Sequence, residues 1–264
     1  MELIVIFKAI ILGIIEGLTE YLPVSSTGHL IIFGETLKFN SVPDKIFETS
    51  IQFGAIMAVL VLYRVKVIKL IKNFYRRSPE QYFCINLMIA FLPAAIIGIM
   101  IHDFIKQHLF TSPVVALTLI FGGVVMILVD RTKLPEKTKE LEMVTTKQAL
   151  SIGLFQCLSM IPGMSRSGAT IIGGMFSGLS RSAAAEFSFF LAIPTIFGAS
   201  AYDLFKNRDV LSSDHLGLIS IGFFVSFIVA LFIVSHFIEL IKKFGFTPFG
   251  IYRIILGLII LLFI

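Results

Sequence analysis

The chain has 264 residues, of which 56% are hydrophobic and 15% charged, and its formal net charge at pH 7 is +5. Soluble domains carry roughly 25% charged residues, so the composition excludes an ordinary water-soluble globular protein. The basic residues lie in short loops between apolar runs, without an aromatic-interleaved basic groove, and no nucleic-acid partner is predicted. The sequence predicts an all-α polytopic membrane protein surrounded by membrane lipids.

The first predicted element is a hairpin at 1–38, in which polar residues interrupt apolar sequence. It lacks a basic n-region and an Ala-x-Ala site, so we expect it to be retained rather than cleaved as a signal peptide. Glu16 and Glu20 are four residues apart and share one helix face, and Pro23 is expected to end that helix. A hydroxyl-rich turn then opens a second helix; its residues are Ser25, Ser26, Thr27, Gly28 and His29.

Two carboxylates at membrane depth indicate a functional site, because their burial is costly without a compensating partner. The alternative is that Glu16 and Glu20 lie at the membrane interface and pair with lysine. Their shared helix face, and a histidine nine residues after Glu20, favour function.

The apolar runs that follow predict six transmembrane helices, near 47–63, 83–101, 113–129, 184–205, 216–238 and 249–264. The loops 64–80, 131–147 and 239–248 are rich in Lys and Arg, whereas 35–48, 102–112 and 206–215 are not. The positive-inside rule places the first set in the cytoplasm and the second set outside. For the charges to alternate, the segments 1–38 and 148–182 must each enter and leave on one side. We therefore predict two re-entrant helix–loop–helix hairpins, although two pairs of full spans would also fit the hydropathy.

The second hairpin contains the run Pro162-Gly-Met-Ser-Arg-Ser-Gly-Ala-Thr170. Glycines free backbone N–H groups, the following helix offers its N-terminus to an anion, and Arg166 adds a guanidinium suited to phosphate. The alternative is a contact of small residues between helices, with Arg166 paired to a structural carboxylate. Arginine inside this turn favours a phosphate site.

An internal repeat relates the two hairpins. A shift of 140 residues superimposes Gly13 and Glu16 on Gly153 and Gln156, and it superimposes Ser25 and Gly28 on Ser165 and Gly168. The chain is thus predicted to be a single integral membrane domain, 1–264, with repeat halves at about 1–130 and 148–264. Halves that enter from opposite faces form an inverted-topology repeat, whose loops meet near the middle of the membrane.

Three runs resemble signature motifs of the bacterial undecaprenyl-diphosphate phosphatases of the bacitracin-resistance type: Glu16-Gly-Leu-Thr-Glu20, Tyr21-Leu-Pro-Val-Ser-Ser-Thr-Gly-His29 and the run that ends at Thr170. The resemblance implies hydrolysis of undecaprenyl diphosphate to undecaprenyl phosphate and inorganic phosphate. That reaction recycles the lipid carrier for cell-wall (peptidoglycan) synthesis and confers bacitracin resistance. The resemblance also implies a divalent cation, Mg²⁺ or Ca²⁺, for which Glu16 and Glu20 are the expected ligands.

As a hypothesis, Arg166 stabilises the transition state and Ser26 is the nucleophile, with His29 as general base and acid. A rival assignment makes His29 the nucleophile or the group that activates water. The expected substrate-binding residues are Ser25, Thr27, Gly28, Gln156, Gly163, Ser165, Ser167, Gly168 and Thr170.

The competing functional class is a transporter or flippase for a lipid carrier or a small anion, because inverted repeats with broken helices are a transporter architecture. The set of Glu16, Glu20, Ser26, His29 and Arg166 exceeds what binding alone requires and favours an enzyme. The expected location is the inner (plasma) membrane of a bacterial cell, in multi-pass form. The sequence leaves the oligomeric state and the side of catalysis open; it is compatible with a homodimer and with a site that faces outward.

Overall fold

The computed structural model describes residues 2–39, 42, 44–206 and 213–263, and across these ranges the chain is helical with no β-strand. The predicted outer loop 206–215, with Arg208, lies largely outside the described residues. Eleven α-helices are described, with short 3₁₀ turns at Leu141–Met143 and Leu158–Met160. The helices are α1 Leu3–Thr19, α2 Ser26–Leu37, α3 Asp44–Leu62, α4 Arg64–Asn73, α5 Pro79–His108, α6 Ser112–Arg131, α7 Thr146–Cys157, α8 Arg166–Phe176, α9 Arg181–Lys206, α10 Ser213–Phe244 and α11 Thr247–Phe263.

Both predicted hairpins form as helix–loop–helix units, α1–α2 and α7–α8. The second helix of each begins at a serine cap, as N-cap chemistry requires. The Ser25 hydroxyl accepts from Gly28 N–H at 3.3 Å, and the Ser165 hydroxyl accepts from Gly168 N–H at 3.1 Å. The two caps are 140 residues apart, which is the spacing of the sequence repeat.

The helix α1 ends at Thr19, earlier than the position of Pro23 suggests. Glu20 follows as the C-cap residue in helical conformation, and its N–H donates to the Glu16 carbonyl at 2.9 Å. The two carboxylates therefore keep the shared face that their spacing predicts. A short turn over 21–24 then brings the chain to Ser25, whose φ is 72°.

Each of the six predicted transmembrane segments coincides with a helix. Four of these are long and apolar enough to cross a membrane: Pro79–Ile101, Ser112–Arg131, Arg181–Ala201 and His215–Phe244. The other two, Ile46–Leu62 and Thr247–Phe263, are apolar but shorter. Apolar side chains on the outer surfaces of these six helices, such as Phe121, Phe232 and Leu262, are more than half exposed, which suits contact with lipid.

Interpreting 64–80 as a loop was wrong in part, because Arg64–Asn73 forms the helix α4. The segment has apolar residues at helical spacing between its lysines, and only Leu70 among them is buried. Such an amphipathic helix is difficult to distinguish from a basic loop by charge alone.

The packing of the helices follows the sequence repeat. The helix α1 packs on α10, and its repeat partner α7 packs on α5, while α3 packs on α9 and α6 on α11. A Cβ added to Gly13 would lie 2.7 Å from the Gly222 carbonyl oxygen, and one added to Gly153 would clash with the Ala90 carbonyl. The two repeat-related glycines therefore allow the same close helix contact in each half.

Candidate active site

The two hairpin loops meet inside the helix bundle. The Ser167 hydroxyl of the second loop donates to the Leu22 carbonyl of the first at 2.9 Å. At the loop tips, a Cβ on Gly28 would lie 3.6 Å from Gly163 Cα, which is van der Waals contact. A cavity of about 120 Å³ opens between the loops, and it is lined by Glu20, Ser25, Ser26, Thr27, Gln52, Ser159, Met164, Ser165, Arg166, Thr195 and Ile196.

Glu20 joins the two loops through both of its carboxylate oxygens. Ser26 Oγ donates to Oε2 at 2.6 Å, and Arg166 Nη2 donates to Oε1 at 2.8 Å. Glu20 is 7% exposed, so solvent does little to screen this ion pair. A carboxylate, a hydroxyl and a guanidinium are thereby held in one chain of hydrogen bonds at the cavity wall.

Arg166 is oriented from three directions, and its Nε stays available to a ligand. Nη1 donates to the Ser188 carbonyl at 2.9 Å, and the guanidinium lies 5.8 Å from the centre of the Tyr21 ring. Nε is buried and has no hydrogen-bond partner in the part of the chain that the structure describes. A buried N–H without a partner costs free energy, so this atom is a natural donor to a bound anion.

Glu16 is fully buried, and neither of its carboxylate oxygens has a hydrogen-bond partner among the described residues. It lies beside Glu20 inside the bundle. Across the described ranges, no group of three or more His, Cys, Asp or Glu side chains is arranged to hold a metal ion. Mg²⁺ commonly binds one or two protein carboxylates together with substrate phosphates, so the chemistry of this pair is compatible with the cation that the family resemblance implies.

Among the described residues, the ring nitrogens of His29 have Ser25 and Tyr252 as hydrogen-bond partners, rather than Ser26. Nδ1 lies 2.7 Å from the Ser25 carbonyl oxygen and must be the protonated nitrogen, because a carbonyl only accepts. Nε2 lies 2.6 Å from the Tyr252 hydroxyl and accepts from it. The two rings are nearly parallel, at 4°, with their centres 5.7 Å apart.

Several predicted binding residues hold the loops rather than line the cavity. The Thr170 hydroxyl donates to backbone of its own helix and lies 2.7 Å from Ser188 Oγ. Gln156 is fully buried and accepts from Thr195 at 3.2 Å, while its Nε2 has no partner. Gly163 has φ of +85° and packs on Val115 and Thr118, where a side chain would clash.

The remaining predicted residues lie at the caps, at the contact between the loops, or at the cavity wall. Gly28 and Gly168 supply the capped N–H groups, and Ser167 joins the two loops through its hydrogen bond to Leu22. The residues that line the cavity are Ser25, Thr27 and Ser165.

Sequence reasoning missed Tyr252 and Arg253, which bring α11 into the site. Tyr252 contacts His29, and Arg253 donates to the Pro23 and Gly163 carbonyls, one in each loop. A signal was present: Arg253 is a charged residue inside the apolar segment 249–264, and such residues are functional candidates by default. Gln52 and Thr195 were also missed, and each adds a polar group to the cavity wall.

Residues 9–259 match the family described as "Bacitracin resistance protein BacA". The chain is 51% identical over 263 residues to a protein of Acinetobacter baumannii (strain ATCC 17978) named "Undecaprenyl-diphosphatase", covering 99% of this chain and 97% of that one. It is 52% identical over 256 residues to "Undecaprenyl-diphosphatase 3" of Acinetobacter baylyi, covering 97% and 96% of the two chains. It is 48% identical over 260 residues to "Undecaprenyl-diphosphatase 1" of Mesorhizobium japonicum, covering 98% and 97%. The chain therefore belongs to the BacA family of bacitracin resistance proteins.

Proposed function

We propose that the protein is an undecaprenyl-diphosphate phosphatase, which hydrolyses undecaprenyl diphosphate to undecaprenyl phosphate and inorganic phosphate. The reaction returns the lipid carrier for cell-wall synthesis and confers resistance to bacitracin. Similarity over nearly the full length to proteins named undecaprenyl-diphosphatase, at 48–52% identity, supports the activity. The hydrogen-bonded chain Ser26–Glu20–Arg166 at the junction of the loops is the structural observation that carries it.

In the proposed reaction, Ser26 Oγ attacks the terminal phosphorus and its proton passes to Glu20 Oε2. The bond from that phosphorus to the bridging oxygen breaks, and undecaprenyl phosphate leaves. Water then hydrolyses the phosphoserine and releases inorganic phosphate. The 2.6 Å hydrogen bond from Ser26 to Glu20 supports Glu20 as the base, in place of His29, because both ring nitrogens of His29 have other partners.

Arg166 is proposed to bind the terminal phosphate through the free Nε and to stabilise the charge that develops on its oxygens. The first N–H groups of α8 have no partners within the helix and would add to this anion site. His29, fixed by Ser25 and Tyr252, is proposed to orient the first loop and to remain the rival nucleophile.

A divalent cation, when bound, is proposed to be held by Glu16 and Glu20 and to neutralise the phosphate oxygens. Glu16 supports this proposal because its carboxylate is fully buried and receives no hydrogen bond. Within the chain, Glu20 carries both the Arg166 ion pair and the Ser26 hydrogen bond, so it keeps the two loops in register.

We propose that the chain crosses a bacterial plasma membrane six times and that both hairpins are re-entrant, in an inverted repeat of halves 1–130 and 148–264. Four helices long enough to span, the apolar outer surfaces and the repeat-related packing of α1 and α7 support this arrangement. A homodimer stays a prediction.

A transporter or flippase of the lipid carrier is the second candidate, supported by the same repeat-related packing. Transport needs binding groups but no nucleophile. The Ser26 hydroxyl donates a hydrogen bond to the buried Glu20 carboxylate, which also pairs with Arg166. This arrangement favours phosphate hydrolysis over translocation.

The decisive experiment measures phosphate release from undecaprenyl diphosphate, or from a shorter isoprenoid diphosphate, by the purified protein in detergent. Wild type is expected to release phosphate, and Arg166→Ala and His29→Ala are expected to reduce release strongly. Ser235→Ala, at an exposed serine of α10, is the matched control and should retain full activity. An inactive wild type, or full activity in both site variants, would remove the enzyme proposal.

A further inference from the structure

Arg253 on α11 is an arginine whose hydrogen-bond partners are all backbone carbonyls. It is 1% exposed. Nε donates to Leu119 O at 3.3 Å, and Nη1 donates to Pro23 O at 3.1 Å. Nη2 donates to Thr118 O at 3.1 Å and to Gly163 O at 3.0 Å.

These four carbonyls belong to three separate segments. Pro23 is three residues before Ser26 in the first loop, and Gly163 is three residues before Arg166 in the second. The other two carbonyls lie in α6, which packs along α11. One side chain therefore fastens both loops to the same rigid helix pair.

The chain makes room for this side chain with Gly122 on α6. A Cβ added there would clash with Arg253 Nη2, and it would lie 2.7 Å from Arg253 Cζ. The absence of a side chain at this position is thus explained by the guanidinium that fills the space. The small residue and the arginine form one unit across the helix interface.

Holding the two loops together by hydrogen bonds does not in itself require a positively charged side chain. None of the ion pairs in the described part of the chain involves Arg253, so carbonyl dipoles alone offset its charge there. Burial of such a cation is unfavourable, whereas a planar fork of five N–H donors can reach four acceptors that no neutral side chain could reach together. The planar arrangement of the guanidinium donors, rather than the positive charge, is therefore what joins the three segments.

We infer that Arg253 is a positioning residue for catalysis: it locks the two loops at the separation at which Ser26 and Arg166 act on one phosphate group. It does so through the Pro23 and Gly163 carbonyls, without contacting the substrate. This inference rests on the proposed phosphatase function. Since a misplacement of about 1 Å lowers the rate by about 10²-fold, loss of the fork affects turnover more than substrate binding.

The test compares Arg253→Lys with wild type in kcat and KM for an isoprenoid diphosphate, and in Tm. Lysine keeps the charge but places three donors at one point, so it cannot reach carbonyls in three segments. We expect kcat per folded molecule to fall at least tenfold, while KM changes less than threefold. Arg181→Lys is the control, because Arg181 is a half-buried arginine that pairs with Asp130 outside the cavity.

Gly122→Ala provides a second route, because it keeps the arginine but presses a methyl group against the guanidinium. It should lower kcat in the same way even if Arg253→Lys fails to fold. Gly34→Ala is its control, since a Cβ there meets nothing within 4 Å. An unchanged kcat per folded molecule in Arg253→Lys or Gly122→Ala would overturn the inference.

Amide hydrogen exchange supplies a readout that is independent of activity. In Arg253→Lys, the amides of both loops, 21–25 and 161–165, should exchange at least tenfold faster, while those in the middle of α10 do not change. Faster exchange in all helices would indicate a merely structural role and would contradict the inference. If wild type has no phosphatase activity but Arg253→Lys still shows faster exchange only in the two loops, the result would count against the proposed function and not against the role of Arg253 in holding the loops.

Discussion

Each buried ionisable residue of the site has a different kind of partner. Glu20 has a cation and a hydroxyl, His29 has a carbonyl and a phenol, and Arg253 has only carbonyls. Glu16 alone receives no hydrogen bond in the described structure. His29 and Arg253 hold the loops in place, whereas Glu16 and Arg166 Nε are left for ligands.

Ser26→Ala is expected to lower kcat at least ~10³-fold, since it removes the proposed nucleophile and general-base catalysis alone contributes about 10²–10⁴-fold. Trapping during turnover should yield an acid-stable phosphoserine in wild type and none in the variant. Activity of Ser26→Ala within tenfold of wild type would exclude Ser26 as the nucleophile, and an acid-labile phosphohistidine would assign the attack to His29.

Tyr252→Phe should lower kcat about two- to tenfold, because it removes one hydrogen bond worth about 0.5–1.5 kcal/mol from the ring of His29. The fold should persist, since the phenol is half exposed and its ring is kept. Steady-state kinetics would test this prediction, with Tyr82→Phe, a change at an exposed tyrosine of α5, as the control variant. Equal rates in the two variants would show that the Tyr252 hydroxyl has no part in turnover.

Removal of divalent cations with a chelator should abolish activity, and Mg²⁺ or Ca²⁺ should restore it. Glu16→Gln should raise the metal concentration needed for half-maximal activity, because one of the two carboxylates is lost. Direct titration of Mg²⁺ or Ca²⁺ binding to wild type and to Glu16→Gln gives the same comparison without turnover. Full activity of chelated, metal-free protein would exclude a required cation.

At the scale of helices, local signals in the sequence predicted most of the architecture. Serine caps and glycines mark where α2 and α8 begin, and apolar runs mark the long helices, because both depend on neighbouring residues. The role of α11 was not predicted, since its contacts join residues 223 and 230 positions apart. Of the site, the residues in the two motifs were found, while the partner of His29 and the fastening of the loops were not.

The matched glycine contacts predict matched effects. Gly13→Leu and Gly153→Leu should both lower Tm strongly, because a larger side chain must separate α1 from α10 or α7 from α5. Gly98→Leu, where the nearest atom to an added Cβ is the flexible end of Met160 at 3.6 Å, should be tolerated better. Thermal unfolding in detergent would measure this, and a Tm of Gly13→Leu or Gly153→Leu equal to that of Gly98→Leu would contradict the packing.

At the scale of the whole molecule, the halves are similar in packing and different in chemistry. The repeat places Gln156, Met160, Arg166 and Ala169 where the first half has Glu16, Glu20, Ser26 and His29. One half therefore carries the two carboxylates, the serine and the histidine, and the other carries the arginine. In the proposed mechanism, neither loop alone contains both the anion site and the attacking group.

Cysteine labelling in a Cys84→Ala/Cys157→Ala background would test the six-span topology. Cysteines at Tyr75 and Lys139, both exposed, should react only with a membrane-permeant reagent, because the proposed topology places the basic loops in the cytoplasm. A cysteine at the exposed Glu35 should react from outside with an impermeant reagent. Labelling of all three positions from one side would refute the proposed topology.

The contacts of α11 also set an order of events during biosynthesis. This helix follows all the other described helices in the chain, and 223 residues separate His29 from Tyr252. At 5–20 residues per second, about 10–45 s pass between the synthesis of the two. Throughout that interval the first loop lacks both its phenol partner and its arginine fastening, so the nascent protein should remain inactive until α11 has been synthesised.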